Sequence, residues 1–189
     1  AGSGVNVGSE GFDQTADGIT IEAVLFPLWS GELGDYDEIF RKEDGGNRIL
    51  FSFQNDTFGG SANPPVDPGP VLSFGLNVGG YGELDMPLDG SSEAAVTLES
   101  LKDGQFHHVA ATYDTASGEK AIWVDGVRAW SVMLPAGTSP VTGGGTPAYI
   151  GNVEGGGEPF TGGIDEVAIW SRALTPDEGS EKESVHSPT

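Results

Sequence analysis

The sequence predicts an all-β protein, two stacked antiparallel sheets in a jelly-roll β-sandwich. Three observations carry this. Short runs of β-branched and aromatic residues recur along the 189 residues, each bounded by Gly, Asp, Ser or Pro. The composition holds 31 Gly and 12 Pro against 37% hydrophobic residues, which suits many short strands on polar loops and not a helical bundle. Asp125-Gly126 separates two of the runs, and a two-residue hairpin loop needs positive φ at both central positions, which Asp and Gly tolerate best.

In chain order, Val5 and Val7 alternate as an edge strand, and Asp13 and Asp17 stand in the loop after it. Ile19 to Pro27 alternates with Ile19, Ile21, Ala23 and Leu25 on one face. Residues 32 to 44 read as an acidic, solvated loop around Asp35-Tyr36-Asp37-Glu38; Ile39 and Phe40 occupy positions where an EF-hand loop would need Asp or Asn and then Gly. A turn at Asp44-Gly45-Gly46-Asn47 leads into a strand from Arg48 to Phe53, and 58 to 70 is a Pro-rich irregular loop. Leu72, Phe74, Leu76 and Val78 share one face of the next strand, and 93 to 98 is expected to supply another. Strands then follow over Phe106 to Asp114, around Ile122 and Val124, over Val127 to Val132, at Ala148 to Gly151 and at Phe160 to Trp170. Thr175-Pro176-Asp177-Glu178 has the spacing of a capped helix start. No internal repeat or second core is visible, so residues 1–179 read as one domain and 180–189 as a polar tail or linker.

Charge narrows the partners. With 29 acidic and 8 basic residues the formal charge is −21, a field that repels phosphate backbones and anionic membranes, so no nucleic-acid partner is expected. No apolar run approaches the roughly 20 residues of a membrane span, so no membrane insertion is expected either. Cysteine is absent, which excludes a disulfide framework, a thiolate metal site and a Cys nucleophile.

Three ordered motifs carry a resemblance to a known family. They are His107-His108-Val109-Ala110 with Thr112-Tyr113-Asp114, then Trp123-Val124-Asp125-Gly126, then Gly163-Ile164-Asp165-Glu166-Val167 with the trailing Arg172-Ala173-Leu174. This succession resembles the laminin-G-like branch of the concanavalin A-like lectin and glucanase superfamily. The resemblance implies a concanavalin A-like sandwich, and it leaves function open, because the superfamily holds lectins, enzymes and adhesion modules. In many relatives it also implies a structural calcium ion, held by the Asp of the Ile-Asp-Glu-Val strand with loop carbonyls and an N-terminal acidic group. Carried over, the calcium candidates are Asp165, with Asp13 or Asp17, and a carbonyl near Gly45 or Gly46. Asp165 could instead cap the turn after Gly162-Gly163 through backbone hydrogen bonds.

Glu83-Leu84-Asp85-Met86 imitates the start of the acidic strand motif of the superfamily's glucanases. Residues at i and i+2 share a face, so both carboxylates could line a cleft. The third acidic position is Pro87, which removes a ladder donor and argues for a strand end. His107 and His108 are adjacent in a strand, point to opposite faces and cannot share a metal. Sugar binding wants an aromatic platform beside hydrogen-bonding groups. Trp123 alternates with the apolar Ile122 and Val124 and so faces away from the core; Tyr36 and Tyr81 are the further candidates. These readings make the chain a non-catalytic, calcium-stabilised binding module, secreted or at a cell surface, taking a polysaccharide or glycan. Ala1-Gly2-Ser3-Gly4 reads as a processed or artificial end, so a larger parent polypeptide is expected. The alternatives are a glycoside hydrolase or lyase using Glu83 and Asp85, and a structural or adhesion module contacting a cell-surface protein.

Overall fold

A computed structural model describes residues 4–55 and 64–175. Eleven strands occur among them: β1 Val5–Gly8, β2 Gly18–Pro27, β3 Tyr36–Lys42, β4 Ile49–Gln54, β5 Val71–Asn77, β6 Tyr81–Pro87, β7 His107–Asp114, β8 Glu119–Val124, β9 Val127–Met133, β10 Ala148–Ile150 and β11 Gly162–Trp170. They form a six-stranded sheet A in the order β1-β10-β3-β4-β5-β6 and a five-stranded sheet B in the order β11-β2-β7-β8-β9. Every pairing is antiparallel. No helix in the described chain is long and apolar enough to cross a membrane.

The period-2 patterns build the core. Ile19, Ile21, Ala23 and Leu25 of β2 and Val109, Ala111 and Tyr113 of β7 turn inward from sheet B, and meet Phe51 and Phe53 of β4 and Leu72, Phe74 and Leu76 of β5 from sheet A. Trp29 joins them, fully buried against Phe53 at 5.6 Å between ring centroids. The hairpin between β8 and β9 turns at Asp125 (φ 48°) and Gly126 (φ 74°), both left-handed as their identities require.

Three local expectations are corrected. Tyr36 to Lys42 is an inner strand, not a solvated loop, and Asp37 and Glu38 are 2% and 0% exposed. The Thr161 N–H donates to Asp37 Oδ2 at 2.6 Å and the Arg41 guanidinium donates to Glu38 Oε1 at 3.0 Å, while Glu38 Oε2 is buried without a hydrogen-bond partner among the described residues. Residues 93 to 98 are no strand. Ala95 has a φ of 51°, and Thr97 caps a one-turn helix α1, Leu98–Leu101, by exchanging hydrogen bonds with Ser100. Glu83 and Asp85 lie mid-strand, because the ladder with β5 continues to Pro87 opposite Val71. The helix start at 175–178, the tail at 180–189 and the 58–63 part of the Pro-rich loop fall outside the described residues, except for Thr175 itself.

Gly118 and Gly126 test the turn chemistry separately. A Cβ at Gly126 meets nothing within 4 Å, whereas one at Gly118 (φ 80°) collides with the Leu134 carbonyl oxygen. Gly126→Ala is expected to cost about 1–2 kcal/mol of left-handed strain, lowering Tm by roughly 2–8 °C for a domain of this size. Gly118→Ala should lower it at least twice as far; equal losses in thermal melts would contradict the packing described.

Candidate functional site

The two outward faces of the sandwich differ in chemistry. On sheet A, the residues between the inward phenylalanines and leucines are polar, and the strand registers align them. One row crosses four strands as Glu38, Ser52, Ser73 and Asp85; the next runs Tyr149, Arg41, Leu50, Gly75 and Glu83. A β-bulge between Glu38 and Phe40 on β3 resets the register so that Arg41 follows Glu38 on the same face.

These groups are held in place by hydrogen bonds. Ser73 Oγ donates to Asp85 Oδ1 and the Tyr81 hydroxyl to Glu83 Oε1, each at 2.6 Å. Arg41 bridges Glu38 Oε1 at 3.0 Å and Glu43 Oε2 at 2.6 Å, and Arg48 reaches Glu43 Oε1 at 3.0 Å. The Arg48 guanidinium also lies 4.9 Å from the centroid of the Tyr81 ring. Gly75 makes room for the Tyr81 phenol, because a Cβ at that position would strike its oxygen. Burial pushes the Glu38 carboxyl well above the usual carboxylate range against the pull of Arg41, and burial with the neighbouring Glu83 charge raises the Tyr81 phenol. The result is a polar floor of buried Glu38, Ser52, Gln54, Ser73, Glu83 and Asp85. Around it stand half-buried Tyr36, Tyr81 and Tyr149 with Arg41 and Arg48.

Two of the three expected ligand aromatics therefore share this face. Tyr36 lies on β3 opposite Gln54 and Tyr81 on β6 opposite Asn77. Glu83 and Asp85 share it too, as their i, i+2 spacing requires. Trp123 does face away from the core, but on the other side of the sandwich, where its indole N–H donates to Thr112 Oγ1 at 3.0 Å. Its neighbourhood is a small apolar recess of about 30 Å³ that Glu22, His108 and the chain at Leu174 and Thr175 help line. Glu22 accepts from Trp170 Nε1 at 3.0 Å and sits 3.3 Å from His108 Nε2, while Thr20 bonds both the Arg172 carbonyl and the Leu174 N–H. The returning chain at Arg172 to Thr175 packs over this part of the face. His107, on the opposite side of β7, is 2.8 Å from Asp125 Oδ2 and 3.2 Å from Asp103 Oδ1.

The four calcium candidates do not meet. Asp165 is exposed in the β11 bulge opposite Ala23 to Leu25, whereas Asp17 precedes Gly18 at the far end of β2. That span is six to eight residues, on the order of 20 Å at a strand's rise. Asp13 lies beside Gly143, and Asp44, next to Gly45, beside Gly144, so those two loops do converge. The cation found there belongs to the chain: the ammonium of fully buried Lys42 pairs with the Asp44 carboxylate and donates to the Gly144 carbonyl at 3.2 Å. Among the described residues no three His, Asp or Glu side chains form a metal cluster. The residues present do not fit the expected ion as one set.

Sequence reading missed Glu38, Arg41, Arg48, Ser52, Ser73 and Tyr149. A signal existed for two of them: Ser52 between Phe51 and Phe53, and Ser73 between Leu72 and Phe74, mark the outward parity of inner strands. Glu38 and Arg41 carried none, because the bulge changes the parity between them.

The model of the concanavalin A-like lectin/glucanases superfamily matches residues 3–178. No curated protein matches significantly by sequence. Among solved structures, the CBM40 of the Ruminococcus gnavus IT-sialidase, bound to α2,3-sialyllactose, is similar at a TM-score of 0.63 with 14% identity, over 94% of this chain and 90% of that one. Domain 4 of AbnA, an extracellular GH43 arabinanase of Geobacillus stearothermophilus in complex with arabinotriose, gives 0.55 with 19% identity over 94% and 71%. Domains LG4-5 of the mouse laminin α1 chain give 0.57 with 16% identity, over 93% of this chain and 41% of that one. At these identities the likeness is one of fold.

The buried acid on this face sets a pH test. A carboxyl whose pKa is raised on folding favours the folded state fully below its unfolded pKa of about 4.3, and that contribution is lost as pH rises toward the folded value. Glu38→Gln carries no such loss. The Tm of the variant relative to the parent should therefore climb between pH 5 and pH 8, and a difference that stays flat over this range would mean that the Arg41 pair keeps Glu38 ionised.

Proposed function

The chain belongs to the concanavalin A-like lectin/glucanase superfamily, and we propose that within it this domain is a non-catalytic carbohydrate-binding module whose glycan lies on the outward face of sheet A. The observation that carries the reading is the outward face of sheet A, where half-buried Tyr36, Tyr81 and Tyr149 stand at separate borders of a buried polar layer, with the Arg41 and Arg48 guanidinium groups among them. A pyranose presents an apolar CH face and a ring of hydroxyls; the tyrosine rings answer the first and the guanidinium groups the second. The solved modules with sialyllactose and arabinotriose support a carbohydrate ligand as the class. An extracellular location and a larger parent polypeptide go with this reading.

A glycosidase reading is weaker on this face. Glu83 and Asp85 each accept a short hydrogen bond from a neighbouring hydroxyl, and both are more than nine-tenths buried. A general acid and a nucleophile must reach a glycosidic oxygen and an anomeric carbon. At the Asp13 and Gly45 loops, the place left for the expected calcium, we propose that the chain's own cation takes its role. With the Lys42 ammonium already between Asp44 and Gly144, the expected Tm in calcium matches that in chelator to within about 1 °C, and a rise of several degrees in calcium would restore a bound ion to the account.

A glycan-array screen, followed by titration of the best ligand, tests the proposal. Tyr81→Ala and Tyr36→Ala should each weaken binding about tenfold, the loss of a central aromatic contact, and Trp123→Ala less than about twofold. Binding lost through Trp123 and kept without the tyrosines would overturn the assignment of the face. Glycan cleavage abolished by Glu83→Gln would overturn the non-catalytic reading.

A further inference from the structure

Lys120 is a lysine on an inward-facing strand position. Tyr113 is its partner on β7, and Ile122 and Val124 of its own strand are core. It is 3% exposed; its Nζ donates to the Gly82 carbonyl at 2.8 Å and lies 4.9 Å from the centroid of the Phe74 ring. An ammonium has three donors. One is placed, the aromatic face takes part of the charge, and no carboxylate of the described residues forms an ion pair with it. The nearest acidic side chains, Glu83 and Asp85, point to the outward face of β6 and are held there by Tyr81 and Ser73.

Beside this amine is a partly open cavity of about 220 Å³, lined by Leu76, Val78, Tyr81, Val132 and Leu134 and by the Gly79-Gly80 turn. It is smaller than the roughly 300–1,000 Å³ that a drug-sized ligand needs. The volume suits one compact organic molecule or a single sugar ring. A buried polar group beside an open volume calls for a partner in that volume.

The geometry points to a second ligand site here, one that takes a small monocarboxylate, its charge paired with the Lys120 ammonium and its body against Val132 and Leu134. One buried cation balances one negative charge; a dianion would bring an uncompensated charge into a chain already at −21. The carboxylate could be that of a free organic acid or of a uronic acid at a glycan end, and both present the same group. Tyr81 lines this cavity as well as bordering the outward face of sheet A, so the two sites meet at that residue and differ in the charged group, which here is Lys120 between the sheets.

Binding depends on the charge of the amine. Burial lowers Lys120 to about 7, partly opposed by Glu83 and Asp85 of β6. Glu119, its neighbour on β8, is paired with Arg128; the β5 and β9 residues lining the cavity bring no ionisable group, and the Tyr81 phenol of β6, which also lines it, is raised by burial and by Glu83 and stays neutral. The ammonium is thus present below neutral pH and lost above it.

Titration of the folded chain with acetate, glucuronate and glucose, followed by amide NMR at pH 6 and pH 9, tests this. Acetate or glucuronate is expected to shift the amides of Gly79, Gly80 and Gly82 at pH 6, with affinity at least roughly tenfold weaker at pH 9, and glucose is expected to leave them unmoved. A response to acetate alone assigns the site to free acids, and a stronger one to glucuronate assigns it to acidic sugars. Lys120→Met should abolish the response. Val132→Trp, which fills the cavity and leaves the amine intact, should do the same, so the outcome is readable even if the first variant fails to fold. No shift with either acid at pH 6, or shifts that survive both substitutions, overturns the proposal. Both substitutions leave Tyr36 and Tyr81 in place, so binding of a neutral glycan on the outward face is read separately with the tyrosine variants.

Discussion

Glu38 has no exposed surface, yet it sits on the outward side of a sheet, and the arrangement of that side follows from keeping it there. Removing a carboxyl from water is unfavourable unless it is protonated or paired, and here burial and Arg41 pull in opposite directions. Arg41 is placed to act because the β3 bulge brings two residues that would not otherwise share a face onto the same side. The guanidinium then engages Glu43, Glu43 engages Arg48, and Arg48 lies over Tyr81. One buried acid thus fixes the rim of the surface to which we assign the ligand. The floor is fixed in the same manner, with Ser73 and Tyr81 each committed to one carboxylate.

The two faces divide the aromatic residues by use. On sheet B, Trp123 and Trp170 spend their indole N–H groups on Thr112 and Glu22, and the chain returning at Arg172 and Leu174 bonds to Thr20. These tryptophans seat the end of the last strand. On sheet A the tyrosines border polar groups that no strand of sheet B covers. An amphipathic ring can do either task, and what separates the two is whether another part of the chain already occupies its polar partners.

Most of the fold was legible because alternation and turn chemistry are local. Ile19 to Leu25, Leu72 to Leu76 and Asp125-Gly126 each state their structure in a few residues. The acidic stretch at Tyr36 to Glu38 misled for the opposite reason: Asp37 and one oxygen of Glu38 are held inside by Thr161 and Arg41, and Thr161 lies more than 120 positions away. Residues 93 to 98 misled because an apolar run can serve a capped turn as well as a strand, and Thr97 with Ser100 decides between them. The candidate site was half legible. Tyr36, Tyr81, Glu83 and Asp85 could be named from sequence, but that they share a face and Trp123 does not is a matter of sheet order. Asp165 and Asp17 turn out to lie apart along β2, and Lys42 as an internal cation between two loops required the fold to be seen.

The central claim is that the glycan is received on sheet A and not on sheet B. Indole N–H signals report on this directly, because the tryptophans of sheet B give isolated NMR resonances. With the best array ligand added, the account predicts shifts at the amides of Tyr36, Asn77, Tyr81 and Tyr149 while the indole signals of Trp123 and Trp170 stay in place. Movement of those two indole signals with the β3 and β6 amides unchanged would contradict it.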